Sequence, residues 1–268
     1  MRIAIGFYGI TRSLKHTAGS IHRNVLEPAR RAGEVTVFCH FYVQQMIDNP
    51  RTGEYGSLDP DEWKLLAPDH CGLEPAGSQR EVELFTQLQG FGNAWEDDGQ
   101  SLRNIIRQLT SLQKVSQMIR KTSDFDLVVY LRADMEYHDV FDFPAIFRSM
   151  DRNTVMVPNW AWGGGLNDRF AIGGSRAHAV YANRIERALD YCQRLNKPLH
   201  SERLLMYALG RDCVRLQTMP IRATRIRLGG SPSEEFFSPV KWPKRLQAFL
   251  NINLRNLWCL VLDRFRQD

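Results

Sequence analysis

The feature that most constrains this chain is the segment Asp126-Leu127-Val128-Val129-Tyr130-Leu131-Arg132-Ala133-Asp134-Met135-Glu136. Its apolar run over 127–131 lacks polar alternation, so it reads as a strand buried on both faces of a sheet. Charge then begins abruptly at Arg132. A buried parallel strand ending this way presents its charged residues at the carboxyl edge, where open α/β sheets bind ligands. Asp134 and Glu136 stand two apart, which on extended backbone turns both to one side. That spacing suits a shared divalent cation, because hard cations take carboxylate oxygens. The competing reading is a strand end whose acids only solvate a turn. On either reading Asp134 lies outside the core, and its removal is expected to leave the fold intact.

The flanking sequence supplies the layers such a strand needs. Residues 2–7 read as a first strand, followed by the loop Tyr8-Gly9-Ile10-Thr11-Arg12-Ser13-Leu14-Lys15. A helix is expected from Ser20, an N-cap candidate, to be interrupted at Pro28 and stopped at Gly33. A second strand covers 35–41. Strand, loop, helix and strand within about 40 residues form a βαβ unit and predict a parallel sheet. Arg12 and Lys15 then lie at the carboxyl edge beside a helix N-terminus, where phosphate is favoured. A solvated basic loop is the other reading. Neither Gly-x-Gly-x-x-Gly nor a Walker lysine pattern is present, which excludes the dinucleotide fingerprint and the P-loop.

Residues 43–100 are polar and broken by Pro50, Pro60, Pro68 and Pro75, the mark of an elaborated insertion over the sheet edge. Short helices are expected from Asp59-Pro60 through Leu66 and around 81–88. Over 101–120, Leu102, Ile105, Ile106, Leu109, Leu112, Val115 and Ile119 recur at helical spacing, giving the clearest helix. A strand at 155–158 leads into Asn159-Trp160-Ala161-Trp162-Gly163-Gly164-Gly165-Leu166-Asn167-Asp168, then a strand at 169–172. The glycines allow motion or close approach to the backbone, and Trp faces are platforms for sugar rings. A tight turn with buried Trp anchors fits equally well. Ser175 caps a helix to about 196, and Ser201 caps another with Glu202 in its first turn, ordinarily a helix-dipole placement. Strands at 214–216 and 221–228 follow, the second carrying Arg222, Arg225 and Arg227.

Five scattered cysteines without a Cys-x-x-Cys pair argue for reduced thiols and against a zinc site. The apolar run at the amino terminus is too short for a signal peptide, and no stretch reaches the ~20 apolar residues of a membrane span. A soluble cytoplasmic protein is expected. Net charge of +5 fits an anionic ligand, an anionic membrane or nucleic acid without choosing among them. Residues 238–268 read as a basic amphipathic helix that docks peripherally on the inner membrane face or packs on the domain.

Four stretches together resemble nucleotide-sugar-dependent glycosyltransferases of the GT-A fold, most of all a bacterial group associated with capsule, lipopolysaccharide and other surface polysaccharides. They are Gly9-Ile10-Thr11-Arg12-Ser13-Leu14-Lys15, Leu131-Arg132-Ala133-Asp134, Asn167-Asp168-Arg169-Phe170-Ala171-Ile172-Gly173, and Ser201-Glu202. The resemblance implies a mixed, mainly parallel α/β sheet flanked by helices, with a catalytic domain over 1–237. It places Asp134, supported by Glu136, at the acidic motif that binds metal (manganese or magnesium) and sugar diphosphate. Here the motif's first acid is replaced by Arg132, which leaves metal dependence open. Arg12, Lys15, Arg132 and Arg225 are the implied diphosphate ligands, able to offset charge as guanidinium and ammonium groups do. The tryptophan–glycine segment is similar to acceptor loops of inverting enzymes. It implies acceptor contacts at Trp160, Trp162 and Asn167, with Asp168 as general base and Glu202 as second candidate. Donor and acceptor would be a nucleoside-diphosphate sugar and a hydroxyl of a glycan or lipid-linked glycan.

Other classes remain beside this one. A nucleotidyltransferase or sugar pyrophosphorylase would want a Gly-rich signature after the first strand, which is missing. A sulfotransferase fits Thr11-Arg12-Ser13 but not the acidic strand end, and a non-catalytic nucleotide-binding protein is also compatible. A nucleic-acid binder is disfavoured, since the basic residues are not interleaved with aromatics on one surface.

Overall fold

Both faces of the central strands are buried, and the alternation of their side chains shows why. The computed structural model describes residues 1–49, 52–95, 97–241, 248 and 250. Strand β1 (Arg2–Gly9) sends Ile3, Ile5 and Phe7 to one face, and β6 (Leu127–Arg132) sends Leu127, Val129 and Leu131 there. Ala4 and Tyr8, with Val128 and Tyr130, enter a second core on the opposite face. Strands that bury every residue need no polar alternation, which accounts for the unbroken apolar run.

The main sheet has seven strands in the order β10-β8-β9-β6-β1-β2-β5. The additional strands are β2 (Glu34–Tyr42), β5 (His70–Glu74), β8 (Thr154–Pro158), β9 (Ala171–Gly174) and β10 (Arg215–Met219). Pairings β1–β2, β1–β6, β2–β5 and β8–β10 are parallel, while β9 runs antiparallel to β6 and β8. The architecture is the mixed, mainly parallel α/β sheet expected. The polar 43–100 stretch does more than cover an edge, since it contributes β5 to the sheet itself.

Helix α4 (Gln100–Thr122) buries Ile106, Leu109, Leu112, Val115 and Ile119 on one face, as its periodicity requires. Gly6 permits this close packing, because a Cβ there would collide with Val115 Cγ1. On the other face helix α1 (Leu14–Ile21) begins six residues earlier than Ser20, which is buried within it. The Ser20 hydroxyl donates to the Thr17 carbonyl and accepts from the Tyr137 amide. Pro28 does not break the helix. A π-helical turn at His22–Leu26 leads directly into α2 (Glu27–Ala32), and the Asn24 carbonyl that Pro28 cannot bond accepts from Phe141 N–H at 2.9 Å. Expected helices at 59–66 and 81–88 form as a 3₁₀ segment, Glu62–Leu66, and α3 (Gln79–Gln89). The helix expected over 175–196 is divided into α6 (Ala177–Ala182), a 3₁₀ turn and α7 (Ala188–Leu195), and α8 (Ser201–Arg211) follows.

The cysteine reading is corrected. Cys39 of β2 and Cys71 of β5 are direct partners in the parallel register and form a disulfide. Sequence separation of 32 residues concealed their pairing. Among the described residues no helix is long and apolar enough to cross a membrane. The amphipathic helix expected over 238–268 lies almost wholly outside the described residues.

Candidate functional site

The parallel strands β1, β2 and β6 end together, and a cleft of about 600 Å³ opens over their carboxyl edge. Ser111 of α4 fastens its floor, accepting from Gly9 N–H at 2.9 Å and donating to the His40 carbonyl at 2.8 Å. Gln100, Asn104, Arg107 and Gln108 of α4 form one wall. The hairpin of β3 (Met46–Asn49) and β4 (Glu54–Ser57) contributes Met46, Ile47 and Thr52 to another. Arg225 and Arg227 close it from β11 (Ala223–Arg225) and the residues after.

Asp134 stands at the centre and is only 4% exposed, so it is not the solvated strand end anticipated. Arg132 grips it twice, Nε to Oδ1 at 2.8 Å and Nη2 to Oδ2 at 2.6 Å, while Arg12 Nη2 reaches Oδ2 at 2.6 Å. Burial alone would raise its pKa, yet the charges of Arg132 and Arg12 hold it well below the usual carboxylate range. Arg132 is itself oriented by Gln108 Oε1 at 2.6 Å. The Arg12 guanidinium bridges from Asp134 to Glu54 Oε2 at 3.2 Å, and Arg227 Nη1 binds the same oxygen at 3.0 Å.

Four guanidinium groups (Arg12, Arg132, Arg225, Arg227) therefore face two buried carboxylates, Asp134 and Glu54. Arg225 is the surplus cation. Its Nε is buried and finds no acceptor among the described residues. The charge of Arg132, with burial and the further charges of Arg169 and Arg12, depresses its pKa to about 9 against the pull of Asp134. Lys15, expected beside Arg12, is exposed and lines no part of the cleft.

The cation reading of Asp134 and Glu136 does not fit these side chains. Asp134 sits in a turn and Glu136 in β7 (Met135–Tyr137), so the extended backbone that would align them is absent. Both oxygens of Asp134 already accept from guanidinium groups. Among the described residues no group of three His, Cys, Asp or Glu side chains is placed to hold a metal ion.

Beside the cleft lies a second acidic pair. Asp168, 9% exposed, faces the buried Arg184 guanidinium at 3.5 Å, and its Oδ2 accepts no hydrogen bond among the described residues. Arg184 packs over the Tyr181 ring, whose hydroxyl donates to the Asp168 carbonyl at 3.0 Å. The Asp168 charge bears on Tyr8 and Arg132, which line the cleft, although Asp168 itself does not. Glu202 Oε2 accepts from Gly164 and Gly165 N–H at 2.9 and 3.3 Å. Burial, reinforced by the Asp168 charge, raises the Glu202 pKa against those two amides. Of the three glycines, Gly165 serves close approach to the backbone. A Cβ on Gly165 would fall 2.6 Å from the Arg203 nitrogen and nearer still to the Glu202 carbonyl.

The expected acceptor residues are corrected. Trp160 is 0% exposed and its Nε1 donates to the Ile221 carbonyl at 2.7 Å, while Trp162 donates to Pro158 at 2.7 Å. Asn167 is spent on the Trp160 carbonyl and the Arg169 amide. All three are anchors of the turn rather than platforms, because each polar handle is satisfied inside. Trp95 instead lines the cleft, stacked on His200 at 5.4 Å.

No protein-family model matches the chain, and no curated protein matches it. Solved structures do. The apo form of glycosyltransferase GlyE from Streptococcus pneumoniae TIGR4 is similar over 80% of this chain and 44% of its own, with 13% identity and a TM-score of 0.41. A second GlyE structure covers 82% and 46%, with 12% identity and a TM-score of 0.41. Mouse xyloside xylosyltransferase 1 in its apo form covers 82% of this chain and 85% of its own, with 9% identity and a TM-score of 0.42. Each is a distant likeness, and the chain spans less than half the length of GlyE.

Proposed function

We propose that the chain is a glycosyltransferase that moves a sugar from a nucleoside-diphosphate donor to a hydroxyl of a glycan or lipid-linked glycan, in the assembly of a surface polysaccharide. The observation that carries the reading is the arginine cleft at the strand ends, with two more guanidinium groups than carboxylates. A bound diphosphate balances that excess. As the glycosidic bond breaks, negative charge grows on the leaving diphosphate, and preorganised guanidinium groups stabilise it without reorganising. Arg225, whose Nε finds no acceptor among the described residues, and Arg132, fixed by Asp134 and Gln108, are the groups assigned this task.

A divalent cation, if the donor brings one, would add charge stabilisation at the phosphates. No protein-held cation is assigned, since Asp134 is committed to arginines. The acceptor hydroxyl must lose a proton as it attacks. Asp168, the base that the resemblance implies, is assigned that role; its Oδ2 accepts no hydrogen bond among the described residues. Attack assisted by a base on the face opposite the leaving group inverts the anomeric centre. Glu202, with its raised pKa, backs Asp168 and is the alternative base. Residues 238–268, basic and amphipathic in sequence, would hold the enzyme at an anionic inner membrane face.

Thermal-shift titration with UDP, GDP, CMP and dTDP, each with and without manganese, tests the reading. One nucleoside diphosphate should stabilise the protein by a few kcal/mol at saturating excess. That stabilisation should survive without manganese and vanish in Arg225→Gln. A flat response to every nucleotide would remove the basis for a transferase.

A further inference from the structure

Glu54 was invisible in the sequence, buried in a polar, proline-broken stretch, yet both of its carboxylate oxygens are engaged. Its Oε2 accepts from Arg12 Nη1 at 3.2 Å, Arg227 Nη1 at 3.0 Å and the Thr52 hydroxyl at 2.7 Å. Its Oε1 accepts from the Leu228 backbone N–H at 3.2 Å. The two guanidinium groups and the hydroxyl on Oε2 form a donor set that a phosphate group would take. Arg12, Arg227 and Thr52 also line the cleft that is read above as the diphosphate site.

We propose that Glu54 is a built-in competitor for that cleft, its carboxylate holding a phosphate position between Arg12 and Arg227 until a diphosphate takes it. The inference rests on the diphosphate reading of the arginine cleft and adds an affinity-setting residue to it. A monovalent carboxylate neutralises only part of the arginine charge, and a diphosphate offers more charge and more acceptor oxygens to the same donors. Entry of the diphosphate releases Glu54 from Arg12 and Arg227. After transfer, the return of Glu54 to those arginines favours departure of the diphosphate product. The apparent affinity is the intrinsic affinity reduced by the fraction of molecules in which Glu54 has let go.

Inorganic pyrophosphate, titrated calorimetrically into the full chain without added metal, is the probe. Glu54→Gln keeps the shape, removes the charge and should bind pyrophosphate at least about tenfold more tightly than wild type. Unchanged or weaker binding would mean that Glu54 merely orients the arginines, and the inference falls while the diphosphate reading stands. Added Arg225→Gln should abolish the gain, and a gain that survived it would place the anion elsewhere and overturn the inference. No binding in wild type and Glu54→Gln alike would end both. Hydrogen exchange on wild type gives a reading independent of whether the variant folds. Pyrophosphate should speed exchange at Leu228, whose amide loses the Glu54 oxygen, and slower or unchanged exchange there overturns the proposal.

Discussion

Arg132 reaches two residues along its own chain to hold Asp134 in a bidentate pair, Nε to Oδ1 at 2.8 Å and Nη2 to Oδ2 at 2.6 Å. Both oxygens of Asp134 are thereby committed to guanidinium groups, and the carboxylate serves as an anchor for arginine.

That relationship sets the cost of losing Asp134. Removing it leaves Arg12, Arg132 and Arg225 beside one another without their shared carboxylate, while Arg12 keeps Glu54. Breaking a buried pair in this way costs about 3–5 kcal/mol. Asp134→Ala should accordingly show a clear fall in Tm by calorimetry rather than the intact stability of a surface change. Pyrophosphate should restore more of the Tm in the variant than it adds to wild type. A Tm within a degree of wild type would mean that the arginine cage does not depend on Asp134.

The acid pair beside the cleft separates into two roles that kinetics can distinguish. Asp168→Asn keeps the shape and should lower the chemical rate by at least ~10²-fold while nucleotide binding changes little, because only proton transfer is lost. Glu202→Gln should leave the loop bonded, since an amide oxygen can still accept from Gly164 and Gly165. Its effect on rate should be smaller. A larger rate loss in Glu202→Gln than in Asp168→Asn would exchange the two assignments.

Gly165 offers a stability test of the same loop. An added Cβ would press on the Glu202 carbonyl and the Arg203 nitrogen, both backbone of α8 that cannot swing aside. Gly165→Ala should destabilise the fold by roughly 1–3 kcal/mol, the usual range for overpacking. Gly53→Ala meets no atom within 4 Å, so any cost there comes from its positive φ of 66° alone and should be smaller. Denaturant unfolding of the two variants compares crowding with backbone preference directly.

The sheet was legible because its strands bury both faces, and residues 127–131 carried that information locally. The clustering of Arg12, Arg132 and Asp134 was legible as well, since they follow β1 and β6, whose ends coincide, whereas Arg225 comes from β11, paired with β7 outside the main sheet. Glu54 and Arg184 were not, because each acquires its meaning from partners more than 10 residues away and neither stands in a pattern. The tryptophans misled for a related reason. An aromatic beside glycines reads the same whether its face is free or buried, and only the acceptors at Ile221 and Pro158 decide. Cys39 and Cys71 likewise show their pairing only once β5 joins β2.

Acid should weaken the fold through His178. Its ring is buried against Tyr130, Nδ1 lying 2.9 Å from the Tyr130 hydroxyl, and burial together with the Arg120 charge lowers its pKa from 6.5 to about 4. Between those values the unfolded chain takes up a proton that the folded chain refuses. Stability from this group is therefore complete above pH 6.5 and is lost as the pH falls through about 4, a total on the order of 3 kcal/mol. His40 is also lowered to about 4, chiefly by burial, and loses stability over the same window. In His178→Asn the amide can still meet the Tyr130 hydroxyl but takes no proton. The Tm of that variant should fall less steeply between pH 6.5 and 4 than wild type, while the two differ little in slope above pH 7. Parallel slopes across the acid range would show that His178 is protonated in the folded protein as readily as in the unfolded chain.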